Sequence, residues 1–137
     1  MEKINHGAVW VSVVLLFGLG FLWYDPLFGA RWMEMVGLTM EDAEEAGAAV
    51  WISNTITTVL MVYGLAWLLG KLDVSSGKEG AMFGLFIAFV FVMMPRMTND
   101  MFAQNSYGLS WIVGGFSMAA MTLSGFVLGA WKKKSGE

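Results

Sequence analysis

Four long apolar runs divide the chain. The first extends from about Gly7 to Tyr24 and is broken only by Ser12. The second extends from about Ala46 to Leu69 and is polar only at Ser53, Asn54, Thr55, Thr57 and Thr58. The third starts at Gly80 and stays apolar to Met94, and the fourth runs from about Leu109 to Trp131. A bilayer core of ~30 Å takes about 20 apolar residues to cross as a helix. Backbone polar groups cannot go unpaired in lipid, so runs of this length predict helices. Stretches such as Val13-Val14-Leu15-Leu16-Phe17 and Leu85-Phe86-Ile87-Ala88-Phe89-Val90 lack the alternation of barrel strands.

The third run, Gly80 to Met94, is 15 residues long, too short to span. Its helix must therefore continue through Pro95 and Arg96, to about Phe102. A proline at that point frees the carbonyl of Phe91 and bends the helix. Between the first two runs, Leu27, Phe28, Trp32, Met35 and Val36 share one side of a helix, with Arg31 and Glu34 opposite. This predicts a short helix lying in the membrane interface, with Gly37 at its left-handed end. Thr39 and Asp42 have capping-box spacing at the start of the next helix, whose positive end Glu41, Glu44 and Glu45 complement. The expected architecture is all-α, a single transmembrane domain over residues 1–137. Its spans fall at about 7–24, 46–69, 80–102 and 109–131, with an interfacial helix in the first outer loop.

Composition agrees, with 57% hydrophobic and only 14% charged residues, against about 25% charged in a soluble domain. Lys3 ahead of an apolar run resembles a secretory leader, but no small-residue cleavage site follows, so the segment reads as a retained anchor. Lys3, Lys71, Lys78 and Lys132 to Lys134 lie on one side, and only Arg31 and Arg96 on the other. The lysine-rich side is expected to be cytoplasmic, with both termini there and the chain in the plasma or inner membrane. The net charge of −3 comes mostly from the segment around Glu41 to Glu45 and gives no reason to expect nucleic acid. The chain has no cysteine, hence no disulfide framework and no thiolate chemistry.

At the end of the first span the residues become recognisable. Trp23-Tyr24-Asp25-Pro26-Leu27-Phe28-Gly29, then Trp32-Met33, Gly37-Leu38-Thr39 and Glu41-Asp42, resemble the opening signature of the domain-of-unknown-function 1761 family of small bacterial membrane proteins. Thr98-Asn99 followed by Phe102 is similar to a second motif, and Gly129-Ala130-Trp131-Lys132 to a third. The resemblance implies four helices and a membrane location, and no activity. The family pattern places a polar aromatic and a histidine near the positions of Phe116 and Ser117. This chain has neither, so no role resting on that histidine carries over.

Polar residues inside a membrane are costly, which makes each a functional candidate. Asn54 with Thr58 on the second helix, Arg96, Asn99 and Asp100 on the third and Ser117 on the fourth fall in one outer-leaflet layer. Arg96 and Asp100, four apart, share a face and can pair. Such a layer would form a polar cavity for a small transporter or channel, with Arg96 offering its fork to an anion. The same residues equally suit bonding between helices, with Arg96 reaching outward to Asp100 and the headgroups. The second account is favoured: a non-enzymatic membrane protein whose helices pack with one another, with copies of itself or within a larger complex. A membrane enzyme or lipid-binding protein is a weaker third reading.

His6, the lone histidine, reads as an interfacial residue. Nothing in the spans assembles a metal site, a nucleotide loop or a nucleophile elbow, so neither cofactor nor catalysis is expected. Gly80-x-x-x-Gly84 and Gly125-x-x-x-Gly129 permit close helix contact, within the chain or between copies, and a homo-oligomer through these faces is expected. The twelve methionines serve as adaptable filler.

Overall fold

The computed structural model describes residues 4–131. Among these the chain forms α1 (His6–Leu27), α4 (Ala48–Lys71), α5 (Gly77–Phe102) and α6 (Tyr107–Ala130), each long and apolar enough to cross a membrane. The loop between the first two holds α2 (Gly29–Val36) and α3 (Met40–Glu44). At 26 residues, α5 reaches about 39 Å, so the third helix does continue past Pro95 and Arg96.

Both prolines of the chain sit in or beside a widened turn. A proline inside a helix has no N–H and its ring collides with the carbonyl four residues back. At Phe89–Met93 the helix opens into a π turn, closed by the Met94 N–H on the Phe89 carbonyl, which makes room for Pro95 against Phe91. Trp23–Leu27 does the same around Pro26, the Phe28 N–H donating to the Trp23 carbonyl at 2.8 Å. The first helix thus ends at Leu27 and not at Tyr24, carrying Tyr24 and Asp25 on its last turn.

The caps follow from local chemistry. Thr39 and Asp42 form the expected capping box, the Thr39 backbone N–H donating to the Asp42 carboxylate at 2.9 Å. That bond, with a second from the Thr39 hydroxyl, holds the Asp42 carboxyl below its ordinary pKa. Gly37 ends α2 at φ 77°. The Asn5 amide donates to the Trp131 carbonyl at 2.8 Å, tying the start of α1 to the end of α6.

The central helix is α6, with half of its most apolar window buried (50%), against 17% for α4. Its tightest contact is with α5, and glycines make it possible. A methyl group at Gly80 would meet the carbonyl oxygen of Gly125, and one at Gly84 that of Met121. A side chain at Gly129 would likewise meet Ser76. The two glycine pairs foreseen as contact points therefore face each other inside one chain.

Against the other side of α6 pack α1 and α4, through Val9, Val13, Leu16, Val62, Leu65 and Leu69. One buried group is left over: the Ser12 hydroxyl, fully enclosed, has no hydrogen-bond partner among the described residues. An orphaned hydroxyl costs free energy, so Ser12→Ala is expected to raise stability in detergent by about 1 kcal/mol. Thermal unfolding followed by helical circular dichroism checks this, and a loss of stability would show that the hydroxyl does have a partner.

Candidate functional site

Two sites emerge where the sequence suggested one layer. The first joins α5 to α6. Asp100 is 1% exposed and accepts from three donors: Arg96 Nε at 2.9 Å, the Ser110 hydroxyl at 2.7 Å and the Asn105 amide at 3.1 Å. A carboxylate in apolar surroundings persists when its oxygens are bonded and a cation lies beside it. Asn105 and Ser110 belong to the turn after α5 and the first turns of α6, so this network closes the end of the bundle away from the termini. Arg96 itself is about one-third exposed, its side chain at 34%.

The second site lies on the other side of α6, between α1 and α4. These helices meet at the end near the termini, where the His6 ring and the Tyr63 hydroxyl lie 2.8 Å apart. Toward the far end they separate, and residues 46–57 of α4 and the turn before it are all exposed. The separation leaves a cleft of about 390 Å³, within the range of ordinary small-molecule sites (about 300–1,000 Å³). Leu16, Phe17, Met61 and Phe116 form its apolar floor, and Tyr24, Asp25, Trp51 and Asn54 lie toward its mouth. Phe21 and Trp51 stack across it with ring centroids 6.3 Å apart.

The expected site residues distribute unevenly between the two. Asn54 and Thr58 line the cleft; Arg96, Asn99, Asp100 and Ser117 do not. The reason is placement: α6 stands between α4 and α5, which barely touch. Helical phase then turns Asp100 inward to Ser110 and leaves its neighbour Asn99 exposed. Ser117 bonds within its own helix, at 3.5 Å from the Val113 carbonyl. Thr58 does likewise, donating to the Asn54 carbonyl at 2.8 Å. The Asn54 amide, the Tyr24 hydroxyl and the Asp25 carboxylate have no hydrogen-bond partner among the described residues.

Tyr24, Asp25 and Trp51 were not foreseen as site residues. Tyr24 is the last residue of the expected first span, Asp25 opens the loop after it, and Trp51 lies in the second span without a polar group that drew notice. The available signal was Pro26, because a π turn around it carries the helix one turn further. Trp23 fixes that turn by donating from its indole to the Ile112 carbonyl at 2.9 Å.

Helices, apolar surface and length together define a multi-pass membrane protein. Residues 7–129 match the family model described as protein of unknown function (DUF1761), and the chain belongs to that family. No curated protein and no solved structure matches the chain.

Proposed function

We propose that this chain is a non-enzymatic membrane protein that binds an amphiphilic molecule in the cleft between α1 and α4. The observation that carries this reading is the gradient along the cleft. Its floor is apolar, while Tyr24, Asp25 and Asn54, whose side chains make no hydrogen bond to another described residue, stand toward its mouth. Lipid tails cannot satisfy an amide or a carboxylate, whereas a molecule with a polar head and an apolar body would satisfy both ends. Val9, Val13, Val62 and Leu65 are buried toward the termini, which favours a blind binding site over a continuous pore. The six lysines of the terminal segments and around the turn joining α4 to α5, against two arginines elsewhere in the sequence, support a plasma or inner membrane location with both termini cytoplasmic and the cleft in the outer leaflet.

A second reading is that the chain is a component of a membrane complex. The exposed first turns of α4, including Val50, Trp51, Ile52 and Ile56, favour it, since a partner helix or a second copy seated there would cover them.

A neutral, photoactivatable single-chain amphiphile in a native-like bilayer separates these readings. Adducts are expected on Phe17, Met61 and Phe116, and Gly20→Trp, which fills the cleft, should abolish them. Label confined to lipid-facing residues such as Phe86, Phe91 and Leu60 would reject the binding reading.

A further inference from the structure

The cleft also carries information on its ligand's charge. Phe17, Phe21, Tyr24, Trp51 and Phe116 give it an aromatic wall, and Asp25 is the one carboxylate that lines it. No lysine or arginine lines it, and Asp25 has no ion-pair partner among the described residues. The guanidinium of Arg96 is near enough to act electrostatically on Tyr24, but it is bonded to Asp100 and answered by that charge. Aromatic faces are negative and attract cations, most strongly where water is scarce. An anionic head at this mouth would meet both the carboxylate and the ring faces, and a neutral head would leave the carboxylate uncompensated.

From this charge pattern, and resting on the reading of the cleft as an amphiphile site, we infer that its ligand is an organic cation: an ammonium head on an apolar body. The head lies by Asp25, Tyr24 and Trp51, and the body lies over Leu16, Phe17 and Met61. A membrane lipid with an ammonium headgroup and a free lipophilic amine share this chemistry.

The test is competition against the neutral photoactivatable amphiphile, with the full chain in a phosphatidylcholine-free bilayer of neutral glycolipid. Dodecyltrimethylammonium is expected to displace the label at about tenfold lower concentration than dodecyl sulfate, a difference of about 1.4 kcal/mol. Asp25→Asn should bring the two within about twofold, and Asp25→Glu should keep the wild-type preference. Adding phosphatidylethanolamine to the bilayer distinguishes the sources. Suppression of the label would assign the site to a lipid head, and suppression only by the free ammonium compound would assign it to a diffusing amine. Equal competition by the cation and the sulfate in the wild type, with the cleft still labelled, would overturn the charge assignment and leave the binding site standing. Absence of cleft labelling from the start would remove the binding site itself.

Discussion

Gly80→Ala is expected to destabilise the bundle by about 3 kcal/mol, and Gly80→Leu to prevent its assembly. The added methyl group meets the Gly125 carbonyl, which belongs to the backbone of the central helix and cannot turn aside as a side chain would. Relief requires separating α5 from α6 along their shared glycine face, and the loosened contacts include those at Gly84 and Gly129. Gly64, in contrast, has open space around it, so Gly64→Ala should be tolerated and removes a flexible residue from a helix interior. Unfolding in detergent, with Gly64→Ala as the matched control, measures the difference. Equal effects at the two positions would mean that the glycine contact does not hold the bundle together.

Asp100→Ala should be the most damaging polar substitution, at about 3 kcal/mol, because it removes the acceptor shared by Arg96, Ser110 and Asn105. Arg96→Met should cost roughly half as much, since its side chain is partly solvated and the other two donors remain. The double variant should be no worse than Asp100→Ala alone, because the arginine has lost its partner already. Additive losses, read from the same unfolding measurement, would mean that the two charges act independently.

The fates of the two prolines indicate how far the fold was legible. The third apolar run was too short to span, so length itself forced the helix through Pro95, and the structure continues there to Phe102. The first run already had enough apolar residues without Pro26, and nothing in its length required the helix to go on. The extension to Leu27 depends on a π turn and on the Trp23 bond to Ile112, contacts made across the bundle that a linear reading does not contain. Glycine spacing identified which residues allow close approach, but it could not say whether the partner was in the same chain.

The site was legible in its residue types more than in its grouping. Helical spacing suffices to place Arg96 beside Asp100, since both lie on one helix. Whether Asn54 joins them depends on the order of helices around the bundle, which hydropathy does not encode. With α6 between α4 and α5, residues expected in one layer fall on different sides of the central helix. The cleft lies where the first turns of α4 leave their side chains exposed, a consequence of packing between helices that a linear reading does not contain.

The central claim is that the cleft between α1 and α4 is an occupied binding site. It is tested most directly by extracting the protein intact with its surrounding bilayer and weighing the released complexes by native mass spectrometry. The account predicts one small amphiphile retained per wild-type chain, bearing an ammonium group, and none on Gly20→Trp. A wild-type chain that emerges bare, or one that retains a second polypeptide seated against Trp51, would contradict it.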